Sequence, residues 1–306
     1  MKRVFPVFLI TLVLAMLLSC TTTELVVVDG NTPYSTFNIS DIKIENYVNR
    51  LYIDIIGREP LDDELAAEVE RLKAGDLKRE TRDSIIYRLM TDTTYRENEF
   101  SYKAAYVQNL YNLAKVRCLE GVADSEIELK INILAFGALQ DSLEGNWDGY
   151  YQKQYEILRN QATLDSRQAV YDGVIPYHQM YGLMIDNPIY DVINMNTFNF
   201  VRSTFDQLLW RLPTAQEFDN GFAMIEFNQT AELFGYSGSD KNDYIRILTE
   251  SNEMYEGMVI WCYQVYMSRP PSAGEVVTLL PAYIQQKDIN WVIAQILVTD
   301  EYANFR

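Results

Sequence analysis

Residues 47–64 read YVNRLYIDIIGREPLDDE, and two later stretches of the chain repeat this pattern at offsets of 153 and 211 residues. Each copy centres on the motif Arg-x-Pro-x-x-x-Glu. The motif residues are Arg58, Pro60 and Glu64, then Arg211, Pro213 and Glu217, then Arg269, Pro271 and Glu275. Because the same spacing recurs three times inside one chain, it indicates an internal repeat and not a chance match.

Apolar residues precede each arginine at spacings of three and four, which places them on one face of a helix. They are Tyr47, Val48, Tyr52, Ile55 and Ile56, then Phe200, Val201, Phe205, Leu208 and Leu209, then Met258, Val259, Tyr263, Tyr266 and Met267. The proline after each arginine disfavours a helical conformation at the residue before it, so we expect the first helix to end there.

A second helix is predicted to follow each proline. Thr214 with Glu217, and likewise Ser272 with Glu275, match the capping box that begins many helices. The first copy departs from this pattern, with Leu61 at the cap position. In the third copy we expect Pro281 to kink or shorten the second helix.

A third helix is predicted from matching apolar positions in the first and third copies, at an offset of 207 residues. The pairs are Ile85 and Val292, Ile86 and Ile293, Leu89 and Ile296, Met90 and Leu297, and Tyr95 and Tyr302. The second copy matches more loosely, after a longer connection that contains residues 237–240. Each repeat is therefore three helices long.

The predicted fold is all-α, a helical bundle built from three divergent three-helix repeats with a helical insertion between the first and second. Gly145 and Asn146 are expected to separate two helices of the insertion, which is rich in tyrosine. The predicted segments are a lipoprotein signal peptide (1–19), a flexible tether (20–40), repeat 1 (41–99), the insertion (100–196), repeat 2 (197–254) and repeat 3 (255–306).

The N-terminal segment has the pattern of a bacterial lipoprotein signal. Lys2 and Arg3 precede an apolar run that is too short to span a bilayer comfortably, and Ser19 stands before Cys20. We expect cleavage before Cys20 and acylation of its thiol, with palmitate among the chains, so that the mature protein is anchored in a membrane of the cell envelope. Thr21 is not the aspartate associated with inner-membrane retention, which favours the outer membrane.

The net charge of the chain argues against some classes of binding partner. The chain carries 26 basic against 43 acidic residues and a net charge of −17. A field of this sign repels nucleic acid and anionic lipid headgroups, so we expect no nucleic-acid partner and membrane attachment through the acyl chains alone.

The stretch over residues 47–60, the sequence Leu-x-Ala-Gly-Asp at 72–76 and a closing Tyr95 together resemble the helical repeat of phycobilisome linker domains. They also resemble a related repeat of unknown function in exported bacterial proteins. The resemblance implies an all-helical module that joins protein subunits and catalyses no reaction. The second and third copies carry only the central motif. The predicted lipid anchor and the insertion depart from the family, so its light-harvesting context is not implied.

Few residues offer catalytic chemistry. His178 is the only histidine, which argues against histidine-based acid–base catalysis and against zinc sites with two imidazoles. The motif glutamates are explained as helix N-terminal groups. Residues 62–64 and 240–243 lack the pattern of an EF-hand, so we predict no metal site and no cofactor. Cys118 and Cys262 are expected to be buried free thiols, with a disulfide between them as the alternative.

The leading interpretation is a non-catalytic protein-interaction or scaffold module of the bacterial cell envelope. The 22 tyrosines are expected to lie mostly in the core, but Trp147, Tyr150 and Tyr151 could form an exposed patch that binds a partner. The alternative is a lipoprotein that captures a glycan or another nutrient for a transporter. A concave aromatic pocket would favour capture, and a broad apolar surface would favour a protein partner.

Overall fold

The computed structural model describes residues 39–95 and 100–305. The predicted signal peptide and Cys20 lie outside the described residues, as does nearly all of the predicted tether. The all-α prediction is confirmed: the described residues form 15 α-helices and a single two-stranded β-hairpin. Residues 39–305 belong to one compact unit.

The helices follow the predicted repeat. Copy one contains α1 (Asp41–Leu51), α2 (Asp62–Ala74) and α3 (Arg79–Thr91). The next segment contains α4 (Tyr102–Leu119), α5 (Asp124–Glu144), α6 (Trp147–Tyr171), α7 (Tyr177–Ile185) and α8 (Pro188–Asn194). Copy two contains α9 (Thr197–Thr204), α10 (Ala215–Phe227) and α11 (Lys241–Glu250). Copy three contains α12 (Asn252–Met267), α13 (Ala273–Gln286) and α14 (Ile289–Leu297), followed by α15 (Asp300–Ala303).

The first helix of each copy ends earlier than the proline predicts. It stops at a residue with positive φ that directly precedes the arginine: Gly57 at +83°, Trp210 at +56° and Ser268 at +54°. A left-handed residue reverses the chain and ends the helix before the proline is reached. In copies one and two, a π-helical turn joins the helix to this residue, over Tyr52–Ile56 and Phe205–Leu209.

One continuous core links the three copies. α14 packs against α3, and α15 packs against α1, so the third copy closes onto the first. The buried Tyr47 hydroxyl donates a hydrogen bond to the Leu297 carbonyl at 3.2 Å across this contact. Copy two joins copy three where α12 packs against the turn Phe205–Leu209. Gly257 of α12 lies so close that an added Cβ would stand 2.0 Å from the Leu208 carbonyl oxygen.

Three local features differ from, or add to, what the sequence predicts. Pro281 does not shorten its helix, which continues to Gln286. The carbonyl of Val277, four residues earlier, loses its usual partner because proline has no N–H, and Val277 is 72% exposed. The connection in copy two folds into the β-hairpin Ala231–Leu233 and Tyr236–Gly238. Tyr95 is 76% exposed whereas Tyr302 is buried, so the two tyrosines are not equivalent.

Candidate interaction surface

Each Arg-x-Pro-x-x-x-Glu segment forms the same structure, which we call an elbow. In elbow one, the Arg58 guanidinium donates two hydrogen bonds to the Glu64 carboxylate, at 2.8 and 3.1 Å. The corresponding distances from Arg211 to Glu217 are 2.9 and 2.7 Å. Those from Arg269 to Glu275 are 3.0 and 2.7 Å. Such two-pronged pairing fixes the geometry as well as the charge.

The other contacts of the elbows also recur. Each glutamate accepts a hydrogen bond from the backbone N–H of the cap residue, at 2.8, 2.8 and 2.6 Å. The capping boxes of Thr214 and Ser272 are confirmed, and Leu61 caps through its backbone alone. Each guanidinium lies over the aromatic ring six residues earlier, at 5.8, 5.2 and 5.1 Å from the ring centroid. These rings belong to Tyr52, Phe205 and Tyr263.

The start of a fourth helix completes each elbow. The Tyr102 hydroxyl, at the start of α4, donates to Glu64 at 2.7 Å. Glu253 in the first turn of α12 accepts from Arg211 at 3.1 Å, and Glu301 of α15 accepts from Arg269 at 2.8 Å. The charged groups of the elbows therefore have partners within the fold, and a structural role accounts for the three arginines and three glutamates of the motif.

The environment of the elbow glutamates keeps them ionised. Burial alone would raise the pKa of Glu64, but hydrogen bonds from Arg58, Tyr102 and the Leu61 N–H lower it to about 2. Hydrogen bonds from Arg211 and Arg269 likewise lower the pKa values of Glu217 and Glu275 to about 2. Carboxylates held this far from neutral pH are poor general acids or bases.

His178 is buried in the core. Its Nε2 lies 3.5 Å from the Tyr255 hydroxyl, and its Nδ1 has no hydrogen-bond partner within the described residues. Burial, with a smaller contribution from Lys287, lowers the pKa of His178 to about 4. The imidazole is therefore neutral at pH 7 and closed off from solvent.

The two cysteines of the bundle are free and buried. Burial raises the pKa of Cys118 to about 12 and also raises that of Cys262, so neither forms a reactive thiolate at neutral pH. Among residues 39–95 and 100–305, no cluster of three or more His, Cys, Asp or Glu side chains is arranged to hold a metal ion. Asp240 caps α11 by accepting from the Asp243 N–H.

Helices α5 and α6 form an antiparallel hairpin, and α5 packs chiefly against α6. The turn is built as predicted: Gly145 ends α5 with φ +76°, and Asn146 caps α6 by accepting from the Gly149 N–H. Lys153 of α6 forms an ion pair with Asp141 of α5. The two helices therefore face each other through these polar side chains as well as through Leu134.

The outward faces of the hairpin carry its large apolar side chains. On α5 they are Leu129, Ile133, Phe136, Leu139 and Leu143, from 57 to 81% exposed, which we call the α5 stripe. On α6 they are Trp147, Tyr151, Tyr155 and Leu158, from 49 to 66% exposed, which we call the α6 stripe. Residues two positions apart lie about 200° apart around a helix. Tyr151 and Tyr155 each lie two positions from Lys153, so the α6 stripe points away from α5. Leu139 and Leu143 each lie two positions from Asp141, so the α5 stripe points away from α6. The two stripes therefore lie on opposite sides of the hairpin.

The predicted aromatic candidates lie together at the tip of the hairpin. The ring centroids of Trp147 and Tyr150 are 5.8 Å apart, and those of Tyr150 and Tyr151 are 5.3 Å apart. Trp147 and Tyr151 are exposed and Tyr150 is half-buried. Tyr155, which is not among the predicted patch residues, is also exposed. The α5 stripe was missed, although residues 131–140 contain no charged side chain.

Two clefts could hold small molecules. One of about 370 Å³ lies beside elbow one and is lined by Ile56, Phe100, Tyr102 and Asn109 among others. A larger one of about 550 Å³ lies between α6, α7 and α11. Its lining includes Tyr155, Gln179, Asp186, Asn242, Arg246 and Glu250. Tyr155 also belongs to the α6 stripe, so the cleft adjoins that stripe.

Within the part of the chain that the structure describes, no helix has the length and apolar character needed to cross a bilayer. Comparison of the chain with known protein families, with curated proteins and with solved structures found no match.

Proposed function

We propose that this protein is a lipid-anchored, non-catalytic interaction module of the bacterial cell envelope, and that it binds a partner protein through the α6 stripe. The observation that carries the proposal is the exposure of Trp147, Tyr151, Tyr155 and Leu158 on one face of α6. Contiguous apolar surface of this kind is uncommon on monomeric proteins and marks sites of interaction.

The composition of the stripe suits a protein partner. Tryptophan and tyrosine are enriched among the residues that contribute most to binding energy at protein interfaces. Each offers a large apolar area and a polar group at its tip, so it can be desolvated while its hydrogen-bonding atom is still satisfied. At about 25 cal/mol per Å² of apolar area, covering these four side chains contributes several kcal/mol before the entropy of association is subtracted.

The state of the titratable groups supports a role without catalysis. The elbow glutamates are locked in ion pairs, His178 is buried and neutral, and both thiols of the bundle are buried. The resemblance of copy one to linker repeats is in keeping with a module that connects protein subunits.

Anchoring through Cys20 is part of the proposal and has its own test. Cells that produce the chain are labelled with palmitate, and the envelope is separated from the soluble fraction. We expect label on the chain and recovery in the outer-membrane fraction, with both lost in Cys20→Ala. Membrane recovery of the alanine variant with no label on either chain would refute the anchor.

The partner surface is tested by photocrosslinking in intact cells. A photoreactive phenylalanine analogue replaces Tyr151, and the matched control carries it at Tyr236, a tyrosine of the β-hairpin that is 60% exposed. We expect one discrete protein adduct from position 151 and none from position 236. No adduct at 151, or equal adducts at both positions, would refute the α6 stripe as a partner site.

A second candidate is capture of a glycan or another small nutrient, for which the 550 Å³ cleft is the observation. Its lining combines one aromatic edge, Tyr155, with amide and charged side chains such as Gln179 and Arg246. Calorimetric titration with a panel of oligosaccharides tests it. Saturable binding that Arg246→Ala abolishes would favour capture, and absence of heat across the panel would remove this candidate.

A further inference from the structure

The α5 stripe is symmetric about its central residue. Relative to Phe136, its members lie at positions −7, −3, 0, +3 and +7, and all five are large and apolar. The spacings run four, three, three and four, so Leu129, Phe136 and Leu143 lie seven residues apart, with Ile133 and Leu139 to either side, on one face of the helix about 120° wide. The spacing of large apolar residues is therefore the same in both directions along the helix.

Reversal symmetry makes the stripe complementary to itself. When two copies of α5 pack antiparallel about a two-fold axis at Phe136, Leu129 of one meets Leu143 of the other, and Ile133 meets Leu139. A two-fold contact requires this property, that residue i meets j while j meets i.

The distribution of charge favours contact at this strip. The chain carries a net charge of −17, so two copies repel each other over most of their surfaces. Residues 131–140, around the centre of the stripe, contain no charged side chain. Two copies can therefore approach here without burying an unpaired charge, which would be costly.

The exposed area is close to what a stable dimer needs. Five side chains of this size, 57 to 81% exposed, present on the order of 600 Å² of apolar surface. A standard interface buries about 800 Å² on each partner. Asn132 and Gln140, which are exposed beside the stripe, would supply polar area at the rim.

We propose that two copies of this chain associate through their α5 stripes, antiparallel, with Phe136 on the two-fold axis. This interface goes beyond the proposed function and uses the opposite side of the hairpin. The α6 stripe stays free, so a dimer would display two partner-binding surfaces.

Site-specific crosslinking in cells that produce the full chain tests the geometry. Phe136→Cys places two thiols together at the axis, and a short bismaleimide should join them into a covalent dimer. Leu129→Cys alone should not crosslink, because its two copies lie about 21 Å apart along the helices. Chains carrying Leu129→Cys and Leu143→Cys, produced together, should crosslink to each other. The unsubstituted chain controls for the native thiols.

Sedimentation of the purified full chain provides a second measurement. We expect a dimer that Phe136→Glu converts to a monomer, whereas Val277→Glu, at a 72% exposed apolar position on α13, leaves it dimeric. A monomeric unsubstituted chain, equal crosslinking of every single-cysteine variant, or an adduct of Phe136→Cys with a different protein would overturn the proposal. None of these outcomes affects photocrosslinking at Tyr151, so the two proposals fail separately.

Discussion

Replacing Glu64 by glutamine is expected to destabilise the protein more than the same change in either other elbow. The Glu64 side chain is only 3% exposed. Its carboxylate accepts hydrogen bonds from both terminal nitrogens of Arg58, from the Tyr102 hydroxyl and from the Leu61 N–H. Glu64→Gln keeps the shape and removes the charge, which leaves a guanidinium without its counter-charge in a partly buried site.

The size of the expected loss of stability follows from the shift in the pKa of Glu64. Folding lowers its pKa from 4.5 to about 2, and a tenfold change in an ionisation equilibrium corresponds to about 1.4 kcal/mol. The ionised carboxylate therefore contributes on the order of 3 kcal/mol at pH 7. Because the folded pKa is the lower one, this stability is fully present above pH 4.5 and is lost as the pH falls towards 2. At pH 3 about 1 kcal/mol remains.

Urea unfolding of the full chain, followed by circular dichroism, measures this effect. At pH 7, we expect Glu64→Gln to lower the free energy of unfolding by about 3 kcal/mol, and by about 1 kcal/mol at pH 3. The matched control is Glu275→Gln, whose carboxylate is 28% exposed and screened by solvent, with an expected loss of about 1 kcal/mol. Equal losses in the two variants, or a loss for Glu64→Gln that does not change between pH 7 and pH 3, would refute this reasoning.

Three further predictions concern packing, pH and the hairpin. Gly257→Ala should lower the free energy of unfolding by more than about 2 kcal/mol, because its Cβ would collide with the Leu208 carbonyl. Gly274→Ala, in open space on α13, should be neutral or stabilising by several tenths of a kcal/mol, and equal effects would contradict the close contact. Folding lowers the pKa of His178 from 6.5 to about 4. Above pH 6.5 the imidazole is neutral in both the folded and the unfolded chain, and between pH 6.5 and 4 protonation stabilises only the unfolded chain. The chain should therefore lose about 3 kcal/mol over that range through this group, and His178→Phe should lose correspondingly less. Tyr151→Ser should change the free energy of unfolding by less than about 0.5 kcal/mol, and a larger loss would mean that its ring packs in the core.

The repeat and its elbows could be predicted from the sequence because their determinants are local. Arginine and glutamate six residues apart, with a capping hydroxyl between them in two copies, form their contacts within one turn of chain. The spacing of apolar residues likewise identified the helices that carry Tyr47 or Met258, since these faces are both apolar and covered. The predictions from sequence match the structure where the conformation of a segment depends mainly on residues within that segment.

Other features depend on more than one segment. Glycine at position 57 signals a left-handed residue, but Trp210 and Ser268 adopt the same conformation without that signal. The periodicity of α5 and α6 identifies a face on each helix, yet it does not say whether another helix covers that face. Leu143 and Leu134 belong to the same helix, and only packing against α6 separates the exposed residue from the buried one.

The central claim is that the outer surface of the α5–α6 hairpin is where this protein meets its partners. Hydroxyl-radical footprinting tests it most directly, by comparing oxidation of Trp147 and Tyr151 in native envelopes with that in the purified chain, relative to Tyr236. We expect both residues to be protected several-fold in the envelope while Tyr236 is unchanged. Equal oxidation of Trp147 and Tyr151 in the two states would mean that the hairpin is uncovered in the cell, and would contradict the claim.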